Sequence, residues 1–176
     1  MTSKLDVVGI GNAMVDALIQ STQVEIEKHD INRDSMNLID ENLKNNLHEN
    51  YSIKEMVGGG SLGNSMFGIT SFGGNGSFIG KIKNDEVGVF LQKDMVREGL
   101  QFPLGFTSPD ISTGCCTIFV EEDGTRTMCT FLGAGTLIGP DDINDQHIKN
   151  HKIAYLEGYL WDNENAKKAM KKMVDI

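Results

Sequence analysis

An asparagine and an aspartate four residues apart stand where an α/β protein could contact a polar ligand. Asn12 follows a predicted buried strand over residues 6–11, and Asp16 lies inside the apolar segment 13–20. Burying a carboxylate is costly unless a partner stabilises its charge. Asp16 therefore either caps a nearby stretch of backbone or binds the hydroxyl groups of a ligand, and the sequence leaves both interpretations open.

Glu157 is a second acidic candidate, because it directly follows a predicted strand over residues 152–156. In open α/β sheets, ligands bind at the edge formed by the carboxyl ends of the strands. This position favours a binding role for the Glu157 carboxylate, and an ordinary loop position is the alternative.

A glycine-rich run covers residues 58–65 and reads Gly-Gly-Gly-Ser-Leu-Gly-Asn-Ser. Successive glycines let the backbone approach a ligand closely, although a mobile turn is the alternative for the run alone. Apolar residues at helical spacing follow, and either Ser61 or Ser65 is predicted to cap that helix. The free N–H groups at the helix start would then face a polar ligand. The run lacks the Gly-Lys-Ser/Thr ending of a P-loop.

Strands and helices alternate around these candidates, which is typical of a layered α/β sheet. The predicted helices cover residues 39–48 with Asp40 as cap, 62–72 ending at Gly73, 86–98 with Asp85 as cap, a short helix that begins at Pro140, and 163–174. The predicted strands cover residues 6–11, 13–20, 76–80 and 152–156. This order places the ends of several strands beside the starts of helices.

A hairpin interrupts the alternation. Residues 112–121 and 125–132 are rich in β-forming side chains and flank Asp123-Gly124, a strong hairpin turn signal. The insertion predicts a lid or a small second layer. The following residues 133–136 read Gly-Ala-Gly-Thr, and we interpret them as the exit of the hairpin strand.

Composition excludes several classes of protein. The 176 residues carry a formal net charge of −9, which argues against a general binder of nucleic acid or of anionic membranes. No secretory pattern or membrane-length apolar segment occurs, so we expect a cytoplasmic protein. The three cysteines make a poor disulfide framework. The four histidines lie scattered on polar segments, so we expect solvated side chains and no metal site.

Taken in chain order, these segments resemble the ribokinase-like sugar and nucleoside kinases, the pfkB family. The segments that carry the resemblance are residues 8–16, 58–65, 78–88, 113–114, 123–127 and 132–133. The resemblance implies an α/β fold with a mostly parallel sheet flanked by helices, and a small β-sheet lid formed by about residues 13–27 and 112–132. Lys83 departs from the glycine usual in the third segment.

The resemblance also implies a reaction. The γ-phosphoryl group of ATP would pass, with Mg²⁺, to a hydroxymethyl oxygen of a small-molecule nucleoside or sugar, and the lid would close to exclude water. Asp16 would hold ribose hydroxyls and Asn12 would contact the same ligand. The remaining substrate-binding residues implied are Gly59, Gly60 and Asn64 in the glycine-rich loop, and Glu157 at the sheet edge.

Two details are similar to the adenosine-kinase branch of the family. Ser61 stands where ribokinases have a lysine in the loop Gly-Gly-Lys-Gly-Ala-Asn, and residues 11–16 read Gly-Asn-x-x-x-Asp. We therefore expect a purine nucleoside as acceptor. A sugar of the ribose or fructose type is the alternative, and a non-catalytic module for ligand binding or dimerisation is a third hypothesis.

The second signature of the family, Asp-Thr-x-Gly-Ala-Gly-Asp, does not occur in this sequence. By the resemblance, its last aspartate is the catalytic base, and most of the ATP site lies beside it. We therefore expect residues 1–176 to be the N-terminal part of a longer kinase domain, without a catalytic residue or a metal ligand and inactive alone. We also expect a homodimer through the exposed edges of the lid sheet.

Overall fold

A computed structural model describes residues 5–108 and 110–176. Its strands are β1 Leu5–Ile10, β2 Met14–Gln20, β3 Met36–Leu38, β4 Glu55–Gly59, β5 Gly76–Ile79, β6 Ile82–Lys83, β7 Phe106–Ser108, β8 Gly114–Val120, β9 Arg126–Phe131 and β10 His151–Leu156. Its helices are α1 Gln23–Ile26, α2 Glu41–Asn50, α3 Ser61–Ser71, α4 Glu86–Arg97, α5 Asp145–Lys149 and α6 Glu164–Val174. Short 3-10 turns cover Gly133–Leu137, Pro140–Asp142 and Gly158–Leu160.

A parallel main sheet has the strand order β10-β1-β5. The central strand β1 is apolar on both sides, as is usual when helices cover both faces of a parallel sheet, whereas β10 is largely exposed. Val8 and Ile10 pack into one cluster with α5 and α6, and Val7 packs into the other with α3 and α4. The main sheet is therefore the centre of an α/β layer structure, as the alternation of elements predicts.

A second sheet has five strands in the order β3-β9-β8-β2-β4, with β2 parallel to β8 and antiparallel to β4. The predicted hairpin is confirmed, because β8 and β9 pair antiparallel around a turn in which Gly124 has a φ of 86°. One face is covered by α1 and α2. The other, here named the open face, carries Met36, Leu38, Val57, Asp16 and Arg126, among others.

The two sheets meet where β1 passes into β2 through residues 11–13. At this junction the backbone N–H of Gly11 donates to the carbonyl oxygen of Ile79 in the main sheet, at 3.1 Å. Asn12 follows and is buried, so its side chain lies between the main sheet and the five-stranded sheet. This connection brings the end of a parallel strand next to the open face.

Two predicted helix caps are confirmed. The Asp40 carboxylate accepts from the backbone N–H of Leu43 at 2.8 Å, and Asp85 accepts from Gly88 at 2.8 Å. Residues 21–55 contain more structure than the single helix predicted there, because α1 and β3 also lie in this segment and β4 begins at its last residue. These elements are three to five residues long, so their sequences carry little periodic signal.

The expectation that the histidines are solvated is wrong. His151 is only 5% exposed, and His147 lies within 2.7 Å of the Ser77 hydroxyl on β5. His48 contacts the Thr117 hydroxyl at 2.8 Å, and His29 contacts the Tyr51 hydroxyl at 2.9 Å. Polar neighbours along the chain misled the prediction, since one side of each short helix or turn still packs against a sheet.

None of the helices within residues 5–108 and 110–176 is both long and apolar enough to cross a membrane.

Candidate functional site

Glu157 has the most hydrogen bonds of the predicted site residues. Its Oε2 accepts from the backbone N–H of Asn12 at 2.7 Å and from the Asn12 Nδ2 at 2.9 Å. Its Oε1 accepts from the Ser61 hydroxyl at 2.6 Å and from the backbone N–H of Leu62 at 3.1 Å. A carboxylate offers about four acceptor positions, so contacts within the chain use its hydrogen-bonding capacity.

Parallel pairing explains why Asn12 and Glu157 meet. Strand β1 pairs with β10 so that Ile10 lies beside Leu156, and the N–H of Glu157 donates to the Ile10 carbonyl at 3.0 Å. The residues that follow the two strands therefore lie at the same edge of the main sheet. Both side chains are buried there, Asn12 at 3% and Glu157 at 4% exposure.

The predicted caps of α3 are wrong. Gly60 occupies the cap position, with a φ of 81° and no side chain to accept a hydrogen bond. Ser61 is the first helical residue and donates its hydroxyl to Glu157, while the Ser65 hydroxyl donates to the Ser61 carbonyl at 2.9 Å. Glu157, 95 residues from Leu62 in the chain, supplies the acceptor that a local cap would provide.

This arrangement also corrects the expectation that the helix start faces a ligand. The N-terminal end of a helix carries partial positive charge and attracts anions. In α3 that attraction holds the Glu157 carboxylate, which bonds to the N–H of Leu62. The start of α3 is thus fixed to the edge of the main sheet by an anion of the protein itself.

Asp16 has a different environment. It is half-buried in β2, between Val57 of β4 and Cys116 of β8. Within residues 5–108 and 110–176 its carboxylate accepts no hydrogen bond, so the structure does not support the alternative of a local backbone cap. Burial raises the pKa of Asp16 above its ordinary value, and the positive charge of Arg126 opposes that shift.

Gly59 makes the position of Asp16 sterically feasible. A Cβ atom built on Gly59 would lie 2.3 Å from the carboxyl carbon of Asp16, closer than any real contact. The Asp16 side chain therefore packs directly over the backbone of the glycine run. Gly60 follows with a positive φ, which turns the chain from β4 into α3.

Asn64, the remaining predicted residue, is exposed in the first turn of α3. Its backbone N–H donates to the Gly60 carbonyl at 3.0 Å, which closes the first turn of the helix. The structure therefore brings the predicted residues into two groups joined by the glycine run: Asn12 with Glu157 on one side, and Asp16 with Gly59 on the other.

A cavity of about 330 Å³ opens beside the first group. It is lined by Ser61, Tyr155, Leu156, Glu157, Gly158 and Tyr159. The Tyr155 hydroxyl lies 3.3 Å from that of Ser65, so the cavity sits between the end of β10 and the start of α3. Asp16 is not part of its lining and faces the open side of the five-stranded sheet instead.

Sequence reasoning missed two neighbours of the site. Arg126 influences Asp16, and it is recognisable only as a charge just after the Asp123-Gly124 turn. The segment interpreted as a strand exit forms a 3-10 turn, and a Cβ built on Gly135 would lie 2.9 Å from the Asn12 Oδ1. Its small residues are the signal that this segment packs closely against another part of the chain.

Cys115 and Cys116 are buried side chains of β8. Burial raises the pKa of Cys115 to about 12 and that of Cys116 to about 11. The thiolate is the reactive form of cysteine, so both side chains are unreactive packing residues. They point to opposite faces of β8, towards His48 and Thr130 respectively.

The described residues do not form a site for a metal ion. Across residues 5–108 and 110–176, no group of three or more His, Cys, Asp or Glu side chains is arranged to hold one. The start of α3, the helix terminus at this site, already binds Glu157.

Comparison with known proteins identifies relatives along most of the chain. The sequence profile of the pfkB family carbohydrate kinases matches residues 26–176. The structure of adenosine kinase from Sinorhizobium meliloti superposes with a TM-score of 0.89 and 35% identity, covering 98% of this chain and 53% of that one. A probable sugar kinase protein from Rhizobium etli superposes with a TM-score of 0.88 and 31% identity, covering 99% of this chain and 53% of that one.

A curated relative, an uncharacterized sugar kinase from Archaeoglobus fulgidus, is 28% identical over 96 residues, which cover 54% of this chain and 38% of the relative. This chain thus spans about half the length of the two solved relatives. The superpositions confirm the predicted fold class, a mostly parallel sheet flanked by helices.

Proposed function

The chain belongs to the pfkB family of carbohydrate kinases, and from that premise we propose that the protein transfers the γ-phosphoryl group of ATP to a hydroxymethyl oxygen of a polyhydroxylated small molecule. The observation that carries this proposal is the Asp16 carboxylate, which is half-buried against Gly59 and accepts no hydrogen bond from the described residues. Hydroxyl groups of a bound acceptor would supply the missing donors.

Each predicted site residue has a role in this proposal. Asp16 accepts hydrogen bonds from neighbouring hydroxyls of the acceptor, and the exposed Asn64 side chain contacts the same molecule. Gly59 makes room for the Asp16 carboxylate and Gly60 turns the chain into α3, so both shape the loop that binds the acceptor. Asn12 and Glu157 hold the glycine-rich loop at the edge of the main sheet through their hydrogen bonds. Phosphoryl transfer depends mainly on positioning and electrostatics, so a rigid acceptor site contributes directly to rate.

We propose a purine nucleoside of the adenosine type, phosphorylated at its 5′-hydroxymethyl group, as the acceptor. Ser61 and the Gly-Asn-x-x-x-Asp pattern of residues 11–16 support it, as does the 35% identity to an adenosine kinase. A sugar is the second candidate, because the Rhizobium etli relative, at 31% identity, is described as a probable sugar kinase.

We propose ATP and Mg²⁺ as cofactors, held by residues other than those described, and a cytoplasmic location. When bound, Mg²⁺ would neutralise developing phosphate charge. For residues 1–176 alone we expect acceptor binding without phosphoryl transfer. ATP-dependent phosphorylation of adenosine by the pure 1–176 chain would contradict this expectation.

The acceptor is tested by calorimetric titration of the purified protein with adenosine, ribose and fructose, followed by assays of the full-length protein with Mg-ATP. We expect adenosine to bind more tightly than either sugar and to be phosphorylated. Asp16→Asn serves as the control variant and is expected to lose binding. Tighter binding of a free sugar would favour the sugar kinase, and binding without turnover in the full-length protein would favour a non-catalytic module.

We also propose that the open face contributes to a homodimer. Leu38 is 65% exposed and Met36 is 49% exposed on this face, where β3 and β4 are the edge strands. Exposed apolar side chains and unpaired strand edges favour association. Light scattering of the purified protein measures the association directly, and a monomer at all concentrations would contradict it.

A further inference from the structure

The glycine run is held by a second buried carboxylate, on the side away from Asp16. Asp94 lies in α4, is only 6% exposed, and accepts from the backbone N–H of Gly58 through its Oδ2 at 3.0 Å. A Cβ atom built on Gly58 would lie 2.7 Å from the same oxygen, so the contact requires glycine. The other carboxylate oxygen pairs with the exposed guanidinium of Arg97.

This hydrogen bond replaces one that a sheet neighbour would otherwise provide. Strand β4 is the edge strand of the five-stranded sheet, and edge strands leave a row of backbone groups unpaired. Asp94 takes the N–H of Gly58 at this edge. Gly58 and Gly59 are successive residues of a strand and face opposite sides, so the strand is contacted by Asp94 on one side and by Asp16 on the other.

Two buried carboxylates therefore fix the two ends of the turn from β4 into α3. Asp94 holds Gly58 before the turn, and Glu157 holds Ser61 and Leu62 after it. Asp94 belongs to α4, which packs on the main sheet, and Glu157 directly follows β10 of that sheet. The turn is therefore held at a fixed position relative to the main sheet. Gly59, which contacts Asp16, is directly next to the residue that Asp94 holds.

We propose that Asp94 is a positioning residue of the acceptor site: by holding Gly58, it sets the distance between the Asp16 carboxylate and the start of α3. The expected effect of Asp94 on acceptor binding rests on the proposed function, whereas the claim that Asp94 holds Gly58 in place does not. Asp94 itself does not touch the acceptor.

The test compares substitutions at Asp94 in the full-length protein. Asp94→Ala removes the acceptor for the Gly58 N–H, while Asp94→Asn keeps a carbonyl oxygen that can accept it. We expect the alanine variant to raise the Kd and the KM for adenosine about tenfold with little change in kcat, since a displaced loop weakens binding. We expect the asparagine variant to keep the Kd and the KM for adenosine within about twofold of the wild-type values.

Asp142→Ala is the matched control. Its carboxylate also accepts from a glycine N–H, that of Gly139 at 2.8 Å, and pairs with Lys81 at 3.0 Å. This contact lies in a 3-10 turn outside the glycine run. The control is expected to lower the Tm, as Asp94→Ala does, but to leave the Kd for adenosine unchanged. Equal Kd values for Asp94→Ala and the control would overturn the proposal.

A second readout is independent of the acceptor. Hydrogen exchange of residues 55–62, measured without ligand, is expected to speed up about tenfold in Asp94→Ala and to stay near the wild-type rate in Asp94→Asn. Unchanged exchange in Asp94→Ala would overturn the inference. If the wild-type protein binds no acceptor while the two variants show this exchange pattern, only the proposed function is contradicted. If the alanine variant does not fold, Asp94→Ser carries the same expectations, because its side chain is too short to reach Gly58.

Discussion

The environment of Glu157 differs from that of Asp16, although both are acidic side chains next to the same glycine run. Glu157 is 4% exposed and accepts four hydrogen bonds from Asn12, Ser61 and Leu62. Asp16 is half-buried, and burial raises its pKa. The first carboxylate is stabilised by the protein, whereas the second lacks such donors within the described residues.

We interpret this difference as a division of roles, in which one carboxylate stabilises the glycine-rich loop and the other binds the acceptor. A satisfied carboxylate rigidifies the segments that donate to it, so Glu157 acts as a fixed point at the edge of the main sheet. A carboxylate without donors costs stability, and proteins retain such costs where a ligand supplies the missing contacts. We therefore regard Glu157 as a support for the loop and Asp16 as the residue that meets the acceptor.

The largest expected effect tests the role of Glu157 in stabilising the glycine-rich loop. Glu157→Ala leaves buried donors on Asn12 and Leu62 without an acceptor, so we expect a loss of about 3–5 kcal/mol in the free energy of unfolding. Glu157→Gln retains part of the acceptor capacity and is expected to lose about half as much. Urea denaturation measures both.

Glu164→Ala is the control for this experiment, because it removes an exposed glutamate that pairs with Lys167. We expect no measurable change in that variant. If Glu157→Ala were as stable as this control, the support role would be wrong.

The next effect concerns the contact between the two regions. Gly59→Ala places a methyl group against the Asp16 carboxyl group and is expected to cost about 1–3 kcal/mol of stability by overpacking. Combining it with Asp16→Ala should recover most of that loss, since the obstructing group is gone. A double-mutant cycle measures the coupling, and additive losses would show that the two residues do not interact.

A smaller effect, a gain in stability instead of a loss, tests the role of Asp16 in binding the acceptor. Asp16 has a raised pKa in the folded state, so stability falls as pH rises from the ordinary aspartate pKa of 3.8 through the raised pKa, and the loss is complete above the raised pKa. Asp16→Asn should therefore raise stability at pH 7 by roughly 1 kcal/mol or less, discounted for the solvent contact of the side chain. The gain should vanish in acid.

Thermal unfolding at pH 7 and pH 3 measures this gain, and calorimetry on the same variant measures acceptor binding, which we expect to be lost. A variant that is less stable at pH 7, or that still binds adenosine normally, would contradict the division of roles between the two carboxylates.

The smallest effect involves histidines packed under each sheet. Burial lowers the pKa of His147 under the main sheet and that of His48 under the five-stranded sheet, with further lowering by His151 and Lys44 respectively. The unfolded chain therefore binds protons first as pH falls below about 6.5, and stability decreases. His147→Gln should flatten the profile of stability between pH 7 and pH 5; an unchanged slope would exclude His147 as a contributor.

Much of the fold follows from local chemistry. The caps Asp40 and Asp85, the turn at Asp123-Gly124 and the strand before Glu157 are each specified by neighbouring residues, so the sequence predicts them. The positions of Asn12 and Glu157 at one edge also follow from a general rule, because carboxyl ends of parallel strands meet.

Contacts between distant segments were not predictable in the same way. The acceptor at the start of α3 is Glu157 rather than the side chain of Ser61 or Ser65, because a carboxylate 95 residues away reaches the N–H of Leu62. Asp94 lies in a helix whose periodicity is evident, but nothing near it in sequence indicates that its partner is Gly58. The histidines were misjudged for the same reason, since polar neighbours do not reveal which side of a short element packs against a sheet.

By itself, the sequence determined many of the strands and helices, the hairpin and the residues that gather at the strand ends, since each depends on local spacing and turn chemistry. Only the tertiary structure decided which carboxylate accepts four hydrogen bonds and which one accepts none from the part of the chain that the structure describes. That choice depends on contacts between segments far apart in the chain, and the free energy of a buried charge is set by those contacts.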